Sequence, residues 1–472
     1  MNILLLNPPT RSSKKFIREG RCTQEQGVWA ALWPPVSLAM MGAVLENSGH
    51  GVTVIDCPAR DVNRDALLER IGSLCPGAVL WSTGTPSIVD DLSLAEEIKK
   101  IDKGIVTAVF GTHVTALDRQ CMEDFPHLDC IIRNEPEVSA LELVRALERG
   151  DAPETVAGLT VRDAGKKIVA TPPRPFLEDL DSLPLPAWHL LALDCYRLPL
   201  KGRRFLIVAP QRGCPFDCSF CTCQAYYGKR LRKRSAAEVI AEIEHDISRF
   251  DIRDFFIWSE TFVVDKSYVA ELCAMMLDRN LDISWTCNSR VDRVDADLLA
   301  LMARAGCWMI SYGIESGDQG VLDRAAKGIT VDQIHTAVRL TKRAGIKTAA
   351  HFILGLPGET QQSMEKTITL AKKLGVHIAQ FYAAVPFPGS RLYEQARQQG
   401  WIKEQEPGAM NQDHAVMELP GLSAETVNRY RRRAYRSFYF RPAALLRILG
   451  MLAPGDIPKT AKAAWDFMRW SA

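Results

Sequence analysis

The stretch QRGCPFDCSFCTCQAYYGKR, residues 211–230, places four cysteines within ten positions, at Cys214, Cys218, Cys221 and Cys223. The first three have the spacing Cys-x3-Cys-x2-Cys, which chance gives in roughly one chain in a hundred of this composition. What such a cluster means depends on the compartment, because thiols stay reduced in the cytosol and disulfides are rare there.

The rest of the sequence favours a cytoplasmic protein. The N-terminal residues MNILLLNPPTRSSKK are apolar for only one strand's length and lack a small-residue cleavage site, so they do not resemble a signal peptide. No run reaches the roughly 18 apolar residues that span a bilayer. The chain has 472 residues, 13 cysteines and a net charge of +2. We therefore expect two or three domains and clustered cysteines that serve metal binding or catalysis, whereas scattered ones such as Cys57, Cys75 and Cys273 are expected to be buried hydrophobes.

Residues 1–150 alternate short apolar runs with helical patterns. The runs are NILLLNPP (2–9), GVTVIDCPA (51–59), GAVLWSTG (77–84), IVTAVFGTH (105–113) and LDCIIRNE (128–135). Continuous apolar strands between amphipathic helices predict an α/β domain with a parallel sheet covered on both faces. We expect a doubly wound, Rossmann-like domain that binds its ligand beyond the carboxyl ends of the strands. The sequence has no GxGxxG fingerprint there, so a dinucleotide is not favoured.

Small, hydroxyl and acidic residues follow these strands. The candidates are Thr10, Ser82, Thr83, Gly111, Thr112 and Glu135. Such residues leave room for a flat, bulky ligand and offer hydrogen bonds to it. The alternative, that they form ordinary βα turns, stays open.

The second half of the chain repeats the alternation. Residues 151–203 begin with a predicted hairpin, GLTVRDAGKKIVA, and are Pro-rich after it. We interpret them as an interdomain connection. Residues 204–395 contain six βα units, which predict a full or partial TIM-type barrel with its site at the carboxyl-end face. Five residues on or near its strands can donate hydrogen or a proton, although core packing is the commoner role: Cys287, Cys307, Tyr312, His351 and Tyr382. Residues 396–472 are expected to form a helical C-terminal segment.

Three thiolates on one compact loop suit an iron–sulfur cubane. They leave one iron of a [4Fe–4S] cluster without a protein ligand, and that iron can bind a substrate or cofactor. A structural zinc ion usually takes four ligands in paired knuckles. Cys223 offers a fourth thiolate, but no histidine lies nearby, so zinc is the weaker alternative.

The segment CPFDCSFC resembles the cluster loop of the radical S-adenosylmethionine (SAM) superfamily, including the aromatic Phe220 before the third cysteine. FFIWSETFVVD (255–265), YGIESG (312–317), LGLPGET (354–360) and PFPGSRLYEQA (386–396) resemble further strand motifs of that family in the same order. The resemblance implies that Cys214, Cys218 and Cys221 hold the cluster. It also implies SAM contacts from Phe220, Glu260, Ser289, Arg290, Glu315 and Gly355.

The N-terminal half resembles the cobalamin-binding domain that precedes the barrel in one large class of these enzymes. The segments that carry this resemblance are LLLNPP, WPPVSLAMMGAVLENSGHGVTVIDC, FGTHVTAL and RNEPEVSALELV. The resemblance implies that the strand-end residues named above contact cobalamin. The DxHxxG motif is absent, and we do not interpret His113 as a ligand of cobalt.

The family implies that an electron from the cluster cleaves SAM and that the resulting radical abstracts hydrogen from an unactivated substrate carbon. We expect a cobalamin-dependent C-methyltransferase acting on a lipid, a tetrapyrrole or a secondary metabolite, with a flavodoxin or ferredoxin as reductant and no nucleic acid. One alternative is a non-methylating cyclase, oxidase or rearrangement enzyme of the same build. The other is a corrinoid- or zinc-binding regulator.

Two segments of the chain are rich in lysine and arginine. Residues 423–472 carry ten Lys and Arg against three acids, with aromatics between them. They fit either peripheral contact with a membrane surface and a lipid-like substrate, or a cap on the barrel. For the run from Lys229 to Arg234 we favour a solvated helix start over steering of an anionic partner.

Overall fold

The computed structural model describes residues 1–12, 14–19, 23–26, 32–198, 201–403 and 406–451. Its main elements are a seven-stranded sheet followed along the chain by a six-stranded sheet. Within these ranges no helix combines the length and the apolar character that crossing a bilayer requires.

The first domain is built on the seven-stranded sheet. The strands of this part are β1 (Asn2–Asn7), β2 (Phe16–Ile17), β3 (Gln24–Glu25), β4 (Gly51–Asp56), β5 (Ala78–Ser82), β6 (Val106–Phe110), β7 (Cys130–Ile132), β8 (Leu159–Arg162) and β9 (Ile168–Ala170). The helices are α1 (Val36–Glu46), α2 (Cys57–Arg60), α3 (Arg64–Leu74), α4 (Ile88–Ile101), α5 (Thr112–Ala116), α6 (Asp118–Asp124) and α7 (Pro136–Arg149).

The order of strands is β4-β1-β5-β6-β7-β8-β9, and β4 to β7 with β1 are parallel. Setting β8 and β9 aside, this is the 2-1-3-4-5 order of a doubly wound fold, so the predicted fold class is confirmed. In β1, Ile3 and Leu5 belong to one hydrophobic core, and Leu4 and Leu6 to another. Burial on both faces is the reason that the strand reads as a continuous apolar run.

The hairpin that the sequence predicts within the interdomain connection is formed by β8 and β9. It adds two antiparallel strands to the first sheet, with Cys130 of β7 opposite Val161 of β8. The connection proper then consists of the Pro-rich residues after Ala170.

The second domain is an open barrel of six parallel strands in the order β10-β13-β14-β15-β16-β17, as predicted. The strands of this part are β10 (Phe205–Val208), β11 (Gln211–Arg212), β12 (Arg232–Lys233), β13 (Asp254–Ile257), β14 (Ser284–Ser289), β15 (Cys307–Glu315), β16 (Lys347–Leu354) and β17 (Ile378–Ala383). The helices are α8 (Cys223–Tyr227), α9 (Ala236–Phe250), α10 (Lys266–Asp278), α11 (Ala296–Arg304), α12 (Gln319–Arg324), α13 (Val331–Arg343), α14 (Gln361–Leu374), α15 (Arg391–Gln398), α16 (Ala424–Tyr439) and α17 (Pro442–Leu449).

Helix α16 covers the free edge of β17. The hydroxyl of Tyr439 accepts from the N–H of Ala379 (3.1 Å) and donates to its carbonyl (2.8 Å), and the hydroxyl of Tyr435 accepts from the N–H of Phe381 (3.2 Å). Arg431 donates to the carbonyl of Phe381. These side chains satisfy backbone groups that an edge strand leaves unpaired. The described part of the basic C-terminal segment therefore caps the barrel; residues 452–472, to which the membrane prediction also applied, lie outside the described residues.

The carboxyl ends of the two sheets face each other. Asn134, which follows β7, donates its side-chain amide to the carbonyls of Ala225 (2.8 Å) and Tyr226 (3.2 Å) in α8. Trp33 of the first domain packs edge-to-face on Phe256 of the barrel, with ring centroids 5.0 Å apart. Each domain thus presents its ligand-binding edge to the other.

Candidate active site

The cysteine loop is held closed by its flanking residues. Strands β11 and β12 pair antiparallel on either side of it. Gly213 has a φ of +88°, and a Cβ there would lie 2.1 Å from the carbonyl oxygen of Arg230, so the turn requires glycine. In the middle of the loop, Ser219 donates its N–H to the carbonyl of Ala325 (2.9 Å) and accepts from the N–H of Leu392 (2.8 Å). These two hydrogen bonds hold the middle of the loop to the residue after α12 and to α15.

The thiols of this loop suit an iron–sulfur cluster. Cys214 is buried, Cys218 and Cys221 are half-buried, and Cys221 lines the main cavity of the barrel. The backbone N–H of Cys223 lies 3.4 Å from Sγ of Cys221, a contact that favours a thiolate. Among the described residues, no three His, Cys, Asp or Glu side chains are already arranged around one metal-ion position. Three thiolates on one loop suit a cubane, in which each binds a different iron, whereas structural zinc usually takes four ligands.

A cavity of about 340 Å³ runs through the barrel from this loop to Phe205 at the opposite end. Its mouth brings together five of the residues predicted for SAM: Phe220, Glu260, Ser289, Arg290 and Glu315. They meet because the carboxyl ends of parallel strands share one rim. Gly355, the sixth predicted residue, is not among the residues that line this cavity. Its φ is +88°, and a Cβ there would lie 3.1 Å from Val427 of α16.

Arg290 offers an unused donor to the cavity mouth. Its Nε donates to Asp292 (2.9 Å) and its Nη2 to the carbonyl of Gly328 (3.3 Å). Its Nη1 is buried without a hydrogen-bond partner in the structure. A buried guanidinium N–H is costly unless it is hydrogen-bonded, so this position suits a carboxylate such as that of SAM.

Glu315 forms a buried ion pair that the motifs do not reveal. Its carboxylate lies 2.6 Å from Nζ of Lys327, and both side chains are less than 10% exposed. The backbone of Glu315 has a φ of +65°, a conformation that is strained for a residue with a side chain. A Cβ on Gly313 would lie 2.6 Å from the Glu315 carboxylate, so this glycine makes room for the pair. No recognisable spacing identifies Lys327 in the sequence.

The strand ends of the first domain form a floor of small residues covered by a hairpin. The β2–β3 hairpin lies above it: a Cβ on Gly84 would lie 1.6 Å from the Thr23 hydroxyl. Gly111, with φ +144°, approaches Thr83 so closely that a Cβ would lie 2.2 Å from the Thr83 carbonyl. A small cavity of about 10 Å³ remains beside Ser82. The hairpin therefore lies over the strand ends at which the resemblance implies a planar ligand.

Several of the predicted cobalamin contacts are engaged within the protein. Thr10 donates its hydroxyl to the carbonyl of Lys14 (2.7 Å), and Thr83 donates to the carboxylate of Asp91 (2.8 Å). Thr112 begins α5. His113 lies 3.1 Å from the Thr85 hydroxyl, and burial lowers the pKa of its imidazole to about 4, so it is neutral.

Glu135 connects the two domains. Its carboxylate lies 2.8 Å from Nη1 of Arg232 and accepts from the N–H of Leu177 (3.0 Å), while the neighbouring Glu137 pairs with Arg212 (2.6 Å). Our expectation of a solvated basic run holds for Lys229 and Arg230 but is wrong for Arg232 and Arg234. Arg232 is buried in this contact, and Arg234 is buried against Glu242, because each guanidinium has a carboxylate partner from elsewhere in the fold. Sequence spacing did not reveal these partners.

The five strand residues considered as donors separate into two groups. His351 and Tyr382 line the barrel cavity. Cys287, Cys307 and Tyr312 are buried outside it, and the Tyr312 hydroxyl lies 2.7 Å from that of Thr341. Of the scattered cysteines, Cys57 and Cys273 are buried as expected, whereas Cys75 is exposed.

Comparisons with known proteins agree with these features. The family model of the Radical SAM superfamily matches residues 208–371, and that of the B12 binding domain matches residues 27–144. An uncharacterized methyltransferase of Pyrococcus horikoshii, PH0819, is 32% identical over 447 residues, which are 95% of this chain and 94% of that protein. An anaerobic magnesium-protoporphyrin IX monomethyl ester cyclase of Rubrivivax gelatinosus is 32% identical over 372 residues, 78% of this chain and 67% of that protein.

The fold has a solved counterpart. The radical S-adenosylmethionine methyltransferase TsrM from Kitasatospora setae, solved with cobalamin and a [4Fe–4S] cluster bound, matches with a TM-score of 0.69 at 17% identity over 96% of this chain and 89% of that chain. The chain belongs to the radical SAM superfamily, to the class whose barrel follows a B12-binding domain. It is a radical SAM enzyme, and its relatives include methyltransferases and the magnesium-protoporphyrin cyclase group.

Proposed function

We propose that this enzyme is a cobalamin-dependent radical SAM methyltransferase that acts on an unactivated carbon of a small molecule. One observation carries the proposal: the strand-end floor of the B12-binding domain and the mouth of the barrel face each other across the cysteine loop. The side chain of Asn134 and the carboxylates of Glu135 and Glu137 join the two edges. Both cofactor sites then border one reaction space.

In the barrel, the chain's residues bind and orient the reactants. The thiolates of Cys214, Cys218 and Cys221 hold the [4Fe–4S] cluster, which when bound supplies the electron that cleaves SAM. Arg290 binds the carboxylate of SAM through its buried Nη1, and Glu260, 3% exposed at the end of β13, accepts from the amino group. Phe220 and the Glu315–Lys327 pair line the same mouth. Gly355 shapes the turn after β16, and its predicted contact with SAM would be made by its backbone.

In the first domain, Ser82, Gly84 and Gly111 form the floor for cobalamin, which supplies the methyl group that reaches the substrate. At Gly84 and Gly111 the missing side chain makes room for protein atoms, the Thr23 hydroxyl and the Thr83 carbonyl. The β2–β3 hairpin occupies the space above Gly84, so binding at this floor requires the hairpin to shift. Thr10, Thr83 and Glu135 act by holding the surrounding loops, because their polar groups are engaged within the protein.

We assign the supply of electrons to a flavodoxin or ferredoxin. Lys229 and Arg230 follow the cysteine loop, and their side chains are 65% and 76% exposed. Each of them pairs with an exposed carboxylate, Lys229 with Asp217 (2.7 Å) and Arg230 with Glu178 (2.8 Å), so they add no net positive charge here. The assignment rests on the family's need for an electron donor.

A second candidate function is a radical SAM reaction without methyl transfer. The magnesium-protoporphyrin cyclase relative, 32% identical over 78% of this chain, favours it. Both functions would use the cysteine loop and the SAM-binding rim described above. They are distinguished by whether the methyl group of SAM reaches the product.

Anaerobic reconstitution with iron, sulfide and hydroxocobalamin tests the proposal. The full chain should hold iron and sulfide, keep cobalamin through gel filtration, and release 5′-deoxyadenosine from SAM. The triple variant Cys214→Ala/Cys218→Ala/Cys221→Ala should lose iron and SAM cleavage, whereas Cys273→Ala, a buried cysteine on α10, should lose neither. A wild type that holds one zinc and no sulfide contradicts the proposal. With a substrate extract, methyl-deuterated SAM separates the two functions, since only a methyltransferase moves the label into product.

A further inference from the structure

The lumen of this barrel has a polar wall where barrels usually have a filled core. Inward-pointing positions of TIM-type barrels are dominated by bulky branched aliphatic residues that pack in layers. Here four adjacent strands, β14 to β17, line the cavity with polar side chains. These are Thr286, Asn288, Ser311, His351, Gln380 and Tyr382.

The pattern of burial shows that these side chains face open space. Along β14 and β17, half-buried residues alternate strictly with buried ones, and the half-buried set includes Thr286, Asn288, Gln380 and Tyr382. The buried residues between them, such as Cys287 and Phe381, point outward under the helices. Exposure on the inner face of a strand means contact with the cavity rather than with a packed core.

The facing wall is aromatic. Phe205 of β10, Phe256 of β13 and Trp258 just beyond it line the cavity, and Trp33 reaches in from the first domain to pack on Phe256. Aromatic side chains offer large flat apolar faces and favour ring-bearing partners. The lumen therefore has an aromatic side, and a second side on which polar groups are interspersed with apolar ones such as Met309, Ile353 and Ile378.

The polar wall is organised around Tyr382. Its ring stacks on that of His351 with centroids 5.8 Å apart, and its hydroxyl lies 3.3 Å from His351 Nδ1. The same hydroxyl also bonds with the side-chain oxygen of Gln380. This network fixes the Tyr382 hydroxyl at a defined place on the wall.

The charged lining residues lie at the mouth or come from the first domain. They are Glu19 from the first domain and Glu260, Arg290, Glu315 and Lys327 at the mouth. Glu315 is the last residue of β15 and is paired with Lys327; below it, β14 to β17 line the lumen with no carboxylate, lysine or arginine. A carboxylate or phosphate in this part of the lumen would lose its hydration and would have no cation as partner. The free energy of removing it from water would exceed that of the neutral hydrogen bonds it could form.

We infer that the lumen binds an uncharged, compact fragment of the substrate: a ring system with a hydrogen-bonding oxygen or nitrogen along one edge. The ring packs on the aromatic wall, and its polar edge meets β14 to β17 near the Tyr382 hydroxyl. The volume of about 340 Å³ is small for a ligand pocket, and SAM shares its mouth, so the fragment has roughly one or two rings. This substrate class rests on the proposed function for its place beside SAM, but its binding is measurable without turnover.

A charge-matched pair of probes tests the inference on the reconstituted full chain. In anaerobic equilibrium dialysis with saturating SAM, which occupies the carboxylate site at Arg290, 2-naphthamide should bind at least tenfold more tightly than 2-naphthoate, which has the same rings and one negative charge. Tyr382→Phe should weaken binding of the amide about threefold to tenfold, the effect of one hydrogen bond. Tyr312→Phe makes the same chemical change outside the lumen and should leave it unaltered.

Equal binding of the two probes, binding of neither, or an equal effect of the two tyrosine variants would overturn the inference. Iron, sulfide and 5′-deoxyadenosine, measured on the same preparation, report separately on the proposed function. A preparation that cleaves SAM but binds 2-naphthoate as well as 2-naphthamide counts against the substrate class alone. One that prefers the amide but holds no cluster counts against the proposed function alone.

Discussion

Replacing Asp91 with asparagine is expected to destabilise the first domain strongly. The Asp91 carboxylate is fully buried and accepts from Nε (2.9 Å) and Nη2 (2.7 Å) of Arg18, which is itself 1% exposed. The hydroxyls of Thr83 (2.8 Å) and Ser87 (2.7 Å) also donate to it. Asparagine keeps the shape but removes the negative charge, so the Arg18 guanidinium stays buried with only neutral acceptors.

Breaking a buried ion pair on one side costs about 3–5 kcal/mol, because the remaining charge is uncompensated. Replacing both partners by apolar residues of similar volume is often nearly neutral. The double variant Arg18→Met/Asp91→Leu should therefore lose less stability than Asp91→Asn alone. The two sites contact each other, so the effects of the single substitutions should not add.

Urea unfolding of the full chain, followed by circular dichroism, measures these differences. With an m-value of about 2–3 kcal/mol/M, Asp91→Asn should lower the midpoint of the first transition by about 1–2 M. Arg11→Met is the control: Arg11 is in the same segment and pairs with Glu97 at 3.0 Å, but is 56% exposed, so its loss should cost less than about 1 kcal/mol. A smaller shift for Asp91→Asn than for Arg11→Met, or a double variant that loses the sum of the singles, would refute the reasoning.

Three further changes address other parts of the molecule. Burial raises the pKa of Glu359 from 4.5 to about 8, so this group should lower the free energy of unfolding by on the order of 5 kcal/mol as the pH rises from 4.5 to 8. The urea midpoint of Glu359→Gln should therefore fall less over this pH range than that of the wild type. An equal fall in both proteins would contradict the prediction. Gly213→Ala should reduce bound iron after reconstitution, because its Cβ would meet the Arg230 carbonyl at 2.1 Å; Gly165→Ala, in an exposed turn, is the control, and equal iron in both would argue against a required glycine. Tyr439→Phe should cost about 1–3 kcal/mol by leaving the backbone groups of Ala379 unpaired at the β17 edge; a urea midpoint equal to that of Tyr393→Phe would exclude this role.

The strands could be predicted closely because both faces of each sheet are covered. The run at 254–260 contains β13 (Asp254–Ile257), and the run at 308–316 overlaps β15 (Cys307–Glu315) almost completely. Helices bury these strands from outside, so the apolar runs are continuous and local. The short ladders β2–β3 and β11–β12 were not predicted, because two-residue strands leave no periodicity.

The mouth of the barrel also followed from local sequence. The three cysteines share one loop. Ser289 and Glu315 end strands, Arg290 directly follows one and Glu260 lies three residues beyond one, so parallel topology brings them to one rim. The position of a residue at a strand end does not predict the direction of its side chain or of the turn that follows. Gly355 turned toward α16, and Thr83 toward Asp91, because packing behind the rim fixed those turns.

By itself, the sequence determined the two α/β architectures, the thiol spacing and the set of strand ends, since these depend on periodicity and on neighbours a few residues apart. Only the tertiary structure decided which charges are paired: Arg18 with Asp91 across 73 positions, and Arg232 with Glu135 across 97. It also decided which polar and aromatic side chains line the lumen of the barrel. These contacts form between segments that are distant in sequence. The free energy of burying a charge or a ring depends on those tertiary contacts rather than on the residues next to it in sequence.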